Sequence, residues 1–138
     1  MKTEHSPVEI PQEYQDLMAT RGFAHVASLG PDGGPHSTPV WYDYDGTHVL
    51  FSLTTGRQKY HNLSRRPRVA LSIIDPDNPY KYLEVRGVVA DIVDDEGNAF
   101  IDKMARKYTR HDRYPWHRPG DHRVVVRVAP LETTQMGA

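Results

Sequence analysis

Residues 22–54, GFAHVASLGPDGGPHSTPVWYDYDGTHVLFSLT, alternate apolar and polar positions and are rich in β-formers. Two turn signals cut this run, Pro31-Asp32-Gly33-Gly34 and Asp45-Gly46. The pattern therefore predicts three strands, near residues 22–29, 35–44 and 47–54, joined as consecutive hairpins. In the third, Val49, Phe51 and Leu53 alternate with Leu50, Ser52 and Thr54. One face packs, and the other turns polar toward the strand's end.

The period then changes. GRQKYHNLSRRP, residues 56–67, loses the two-residue repeat and ends on Pro67, which predicts a short crossing helix. RVALSIIDPD predicts a fourth strand, with DPDNP as its turn. YKYLEVRGVVADIV predicts a long fifth strand on which Leu83, Val85, Gly87 and Val89 share a face. The glycine marks a bulge or a close approach by another backbone. DDEGNAFIDKMARKY predicts a helix with Phe100, Ile101, Met104, Ala105 and Tyr108 as its apolar stripe behind an acidic first turn. TRHDRYPWHRPGDH reads as a polar, aromatic loop, and RVVVRVAPLETT as a sixth strand.

Ahead of the first strand, PQEYQDLMAT puts Tyr14, Leu17 and Met18 at helical spacing behind a proline, and predicts a short opening helix. The ten residues before it are polar and read as a loose arm, leaving residues 11–138 as one domain without repeats or linkers. Six mostly antiparallel strands with few helices point to a mainly β fold closed as a small barrel, since closure removes sheet edges.

Charge narrows the function classes. With 17 basic against 18 acidic residues the net charge is -1, which argues against bulk attraction to nucleic acid or anionic lipid. A nucleic-acid barrel using Arg65, Arg66 and Arg68 is disfavoured on the same ground. The chain has no cysteine, so disulfides, thiolate metal sites and cysteine nucleophiles are excluded. The start lacks the apolar core of a signal peptide, and no run approaches membrane-spanning length; a cytoplasmic protein is expected. A hydrophobic content of 38% is lean for a self-sufficient globule and fits an oligomer sharing its core or its site.

The basic residues are gathered locally. Arg57, Lys59, Arg65, Arg66 and Arg68 fall within residues 57–68, with no acid among them. Thr55-Gly56-Arg57-Gln58 fits the S/T-x-x-E/Q capping box, with Thr55 as N-cap, Gln58 as reciprocal partner and Gly56 at the first helical position. The free amides of a first turn favour an anion, Arg57 adds a planar fork and Lys59 a point charge. An anion site and a solvated basic helix face both fit these residues.

His111, His117 and His122 lie in the irregular loop without the i, i+4 spacing of helical zinc pairs, so no metal is expected. His25 and His36 fall on strands, where a satisfied or solvent-facing histidine is the plainer reading. Asp43, Asp45 and Glu84 are scattered, and Glu84 shares a strand face with Arg86; no acid/base pair is assigned.

DGGPHSTPVW, GRQKYHNLSRRPRVALS, YLEVRGVV and RVVVRVAP, in this order, resemble the flavin and deazaflavin oxidoreductases of the pyridoxamine 5'-phosphate oxidase-like superfamily. Within it the similarity is to the coenzyme F-420-dependent branch, over residues from about 11 to 135. The resemblance implies a six-stranded antiparallel split β-barrel of the FMN-binding type, forming a homodimer with two cofactor sites between the subunits. By position, Ser37, Thr38, Pro39 and Val40 would line the ring of the cofactor. Ser52, Thr54, Thr55, Arg57 and Lys59 would hold its phosphate-bearing tail, with Asn62 just below.

The substrate-gripping residues of the longer FMN-dependent members have no counterpart here, so coenzyme F-420 is favoured over FMN. The activity implied is hydride transfer between the reduced cofactor and a small conjugated or electron-poor acceptor, with no catalytic triad. Tyr80, Tyr82 and Trp116, from the same or the second subunit, with His36 near the ring, are candidates for the substrate pocket; ordinary packing of these aromatics is the alternative. A barrel that binds the cofactor without turnover uses the same residues.

Overall fold

The computed structural model describes residues 6–137. Seven strands form one antiparallel sheet in the order β2-β1-β5-β6-β7-β4-β3. They are β1 (Ala24–Leu29), β2 (Pro35–Val40), β3 (Asp43–Tyr44), β4 (Val49–Thr54), β5 (Arg68–Asp75), β6 (Asn78–Asp94) and β7 (Arg123–Met136). Helix α1 (Gln58–Arg65) links β4 to β5, and α2 (Ala99–Thr109) lies between β6 and β7. The fold is mainly β and of the split-barrel type, with seven strands where six were expected.

The extra strand comes from a break in the run expected over 35–44. Trp41 and Tyr42 leave the ladder between β2 and β3, and these two strands are the opposite edges of the sheet. Three Cα steps from Val40 to Asp43 reach at most about 11 Å. A flat seven-stranded sheet would hold its edges roughly 29 Å apart. The sheet must therefore curl until its edges meet, and Tyr42, fully buried, fills the join. Its hydroxyl donates to Leu17 O and bonds with Thr20 Oγ1 at 3.1 Å.

Inside the curl, strict alternation builds the core. Along β4, Val49, Phe51 and Leu53 are buried while Leu50, Ser52 and Thr54 are half-buried. Val26, Leu71, Ile73, Leu83, Val85, Val126 and Val128 complete the interior. Gly87 serves both roles foreseen for it. The β6–β7 register slips between Arg86 and Gly87, and a Cβ at Gly87 would lie 2.1 Å from Ala129 O. No side chain fits there.

Three local expectations change. The opening helix is a 3₁₀ helix, Gln12–Ala19, and it buries Tyr14, Leu17 and Met18 as the spacing foresaw. Residues 1–5 of the expected arm lie outside the described residues, whereas Val8 N donates to Pro130 O at 2.8 Å and Ile10 is in the core. The long second helix starts at Ala99, because β6 runs on to Asp94 and Gly97 and Asn98 both adopt positive φ. Asp95 caps it from outside, accepting from Phe100 N at 2.8 Å and Ile101 N at 3.0 Å.

No helix among the described residues is long and apolar enough to cross a membrane.

Candidate functional site

The capping box foreseen at the β4–α1 junction does not form. Thr55 N donates to His122 O at 3.0 Å, which extends the β4–β7 pairing past Thr54. That keeps Thr55 with the sheet, leaves Gly56 in the turn and delays the helix to Gln58. Arg57 occupies the N-cap position without a side-chain cap bond. Gln58 instead donates along the helix, from Nε2 to Asn62 Oδ1 at 2.8 Å.

What the delay creates is a cleft of about 210 Å³ between β2, the β4–α1 turn, α2 and β7. Its polar end carries Ser52, Thr54, Arg57, Lys59 and Arg123; Leu53, Ile101 and Met104 are apolar, and Phe23, Trp41 and Tyr114 are aromatic. Pro39 and Val40 run along one side.

None of the ion pairs among the described residues involves Arg57, Lys59 or Arg123. Lys59 is half-buried; desolvation, with repulsion from Arg57 second, pulls its ammonium down to about 8. Arg123 donates from Nη1 to Ser52 Oγ at 3.2 Å, and its guanidinium carbon lies 4.4 Å from the ring centroid of Tyr114. Its Nε is buried with no hydrogen-bond partner. Unpaired cations and a buried orphan donor at one end of a cleft have the chemistry to receive an anion. A phosphate-bearing cofactor tail fits this donor set.

A second groove of about 620 Å³ adjoins the cleft through Thr54, Arg57, Tyr114 and Arg123, and continues past Trp116, His117, Arg118 and Asp121. Tyr114 stands between the two, its amide held by Asp102 Oδ1 at 2.8 Å.

Of the residues singled out from sequence, Pro39, Val40, Ser52, Thr54, Arg57 and Lys59 meet in the cleft. Ser37, Thr38 and His36 lie farther along β2, exposed and away from it. Thr55 is half-buried in the turn. Asn62 is fully buried and ties α1 to β1, donating from Nδ2 to Ser28 Oγ at 3.2 Å. Trp116 borders the adjoining groove, whereas Tyr80, 75% exposed, and Tyr82 belong to the start of β6 and line neither space. The described residues contain no group of three His, Asp or Glu able to hold a metal.

The model of the pyridoxamine 5'-phosphate oxidase family matches residues 10–137. The chain belongs to that family. Members and likenesses of this fold agree with the geometry. A solved structure called F-420 reductase superposes with a TM-score of 0.81 at 42% identity, over 91% of this chain and 98% of the other. A conserved hypothetical protein from Mycobacterium tuberculosis gives 0.70 at 25% identity, over 99% and 89%. The heme storage protein from Vibrio cholerae, with 0.64 at 14% identity over 94% and 96%, shares the fold alone. Among curated proteins none matches significantly.

Sequence reasoning missed Arg123, Tyr114, Trp41 and Phe23. Arg123 opens β7 opposite Thr54. An arginine beginning a strand, 66 positions from Arg57, gives no local signal. Only the β4–β7 pairing brings the two together.

Proposed function

We propose that the protein is a coenzyme F-420-dependent oxidoreductase that reduces a small conjugated or electron-poor organic acceptor. The observation that carries this reading is the convergence of Arg57, Lys59 and Arg123, free of carboxylate partners, at one end of a cleft with apolar and aromatic walls. The likeness to the F-420 reductase at 42% identity favours the deazaflavin over a flavin.

Arg57, Lys59, Arg123, Ser52 and Thr54, with Thr55 in the adjoining turn, would grip the cofactor's phosphate, and Pro39 and Val40 would border its ring, with Ser37 and Thr38 farther along the same strand. When bound, the reduced ring supplies the hydride. The protein's own part is to fix that ring, to keep water off it with Leu53, Ile101 and Met104, and to leave one face open to the acceptor. A solvent proton completes the two-electron reduction.

FMN remains the second reading, because the chain belongs to the pyridoxamine 5'-phosphate oxidase family and the same cations suit a phosphate monoester. A homodimer is part of the proposal. Every side chain from Pro35 to Pro39 is exposed, and a groove of about 410 Å³ lined by Ala27, Leu29, Ala70, Val88 and Leu131 lies beside β2. A second copy would cover both.

Parallel titration with FMN and coenzyme F-420, followed by ring fluorescence, tests the assignment. Tight binding of F-420 alone, with oxidation of its reduced form by quinones or nitro compounds, supports it. Tight binding of FMN alone overturns the cofactor, and binding without turnover makes the protein a carrier. Sedimentation on dilution checks the dimer: cofactor binding should vanish with dissociation, and full affinity in a monomer refutes the shared site.

A further inference from the structure

The aromatic end of the cleft is built as a rigid shelf. Trp41 stacks on Tyr108 with ring centroids 5.2 Å apart and planes within 8° of parallel. Tyr108 is fixed in turn, its hydroxyl donating to Gly22 O at 2.7 Å and accepting from Tyr42 N at 3.3 Å. The Lys107 ammonium lies 4.9 Å from the Tyr108 ring centroid and donates to Tyr42 O at 2.9 Å. Trp41 is thereby held in one orientation while it also lines the cleft.

Phe23 continues the shelf, 6.0 Å from Tyr108, and is 50% exposed at the cleft wall. Tyr114 stands across from it, 6.1 Å from Trp41 and 78° to its plane. A large aromatic left half in water beside an immobilised indole costs hydrophobic free energy, which a flat ligand laid over both would recover. The lining contains three cations and no carboxylate, so a positively charged ligand is repelled.

We propose that Phe23 and Trp41 are the specificity-determining shelf for the acceptor: a planar conjugated ring, neutral or anionic. Assigning the ring to acceptor rests on the cofactor reading above. Affinity of the shelf for such a ring does not.

Calorimetric titration with 2-methyl-1,4-naphthoquinone tests it, on the protein alone and loaded with F-420, in wild type, Phe23→Ala and Trp41→Leu. Phe23 is exposed enough that its replacement leaves the core intact, and thermal unfolding checks both variants. The expected result is a rise of about tenfold in the quinone Kd for each variant, with the F-420 Kd within about twofold of wild type. A cationic dye of the phenothiazinium class should bind at least about tenfold more weakly than the quinone.

Unchanged quinone affinity in folded Phe23→Ala overturns the shelf. Equal losses of F-420 and quinone overturn the division of the cleft, making the shelf a seat for the cofactor ring. Tight dye binding overturns the charge preference. Were wild type to bind neither F-420 nor FMN, the cofactor reading would fail while quinone binding to the protein alone still decided the shelf.

Discussion

The Arg123 guanidinium lies 4.4 Å from the ring centroid of Tyr114 and donates to Ser52 Oγ at 3.2 Å. A residue from the last strand is so clamped between the loop before it and the strand beside it, with its Nε buried and without a hydrogen-bond partner. Arg123→Met should weaken cofactor binding by at least about tenfold, since a charge-assisted hydrogen bond contributes about 1.5–3 kcal/mol. Arg123→Lys should recover only part, because an ammonium has no planar fork. Fluorescence titration measures both, and wild-type affinity in Arg123→Met removes the residue from the site.

Lys59 gives the site a pH dependence. Its pKa is lowered to about 8, so the free protein holds it as a cation below that value and neutral above. An anion binds the cation, which raises the pKa in the complex. Affinity should therefore be constant up to about pH 7, fall as pH rises through 8, and level off above the pKa of the complex. Lys59→Met should flatten that fall and weaken binding near neutrality by more than about tenfold, with thermal stability little changed. A wild-type affinity that is flat from pH 7 to 9.5 contradicts the role.

Asn62 makes the opposite prediction. It is fully buried, and its carboxamide joins Gln58 Nε2 to Ser28 Oγ. Asn62→Ala should destabilise the fold by about 1–3 kcal/mol through the polar groups it orphans. Denaturant unfolding reads this directly. Unaltered stability would mean that the α1–β1 tie carries no weight.

Gly87→Ala should cost about 1–3 kcal/mol, and more if the ladder cannot open. The added Cβ would meet backbone oxygen at 2.1 Å, which no rotamer relieves. Thermal unfolding of this variant beside Gly56→Ala, where the new Cβ meets nothing within 4 Å, separates steric crowding from loss of glycine as such.

Strand periods, turn glycines and the bulge at Gly87 were legible because each is written within a few residues. So was most of the cleft's polar end: Arg57 and Lys59 are neighbours in sequence, and the family resemblance added Ser52 and Thr54. The remainder depends on pairings between distant segments. Trp41 and Tyr42 read as strand residues, and only the meeting of two sheet edges explains why they leave the ladder. The capping box at Thr55 matched its pattern, yet a ladder bond from Thr55 N to His122 O prevailed over it. Tyr80 and Tyr82 read as pocket walls from the same or the second subunit; within one protomer β6 carries them to the other end of the sheet from α2.

The placement of β7 between β6 and β4 has a consequence for biosynthesis. As the polypeptide leaves the ribosome, both margins of the barrel, β2 and β3, emerge well before the 14 residues of β7 that join the two halves. Until they do, β4 has only β3 beside it, and Arg123 has not reached the cleft. Barrel closure and completion of the cleft's polar end are thus one event, held back until β7 has emerged.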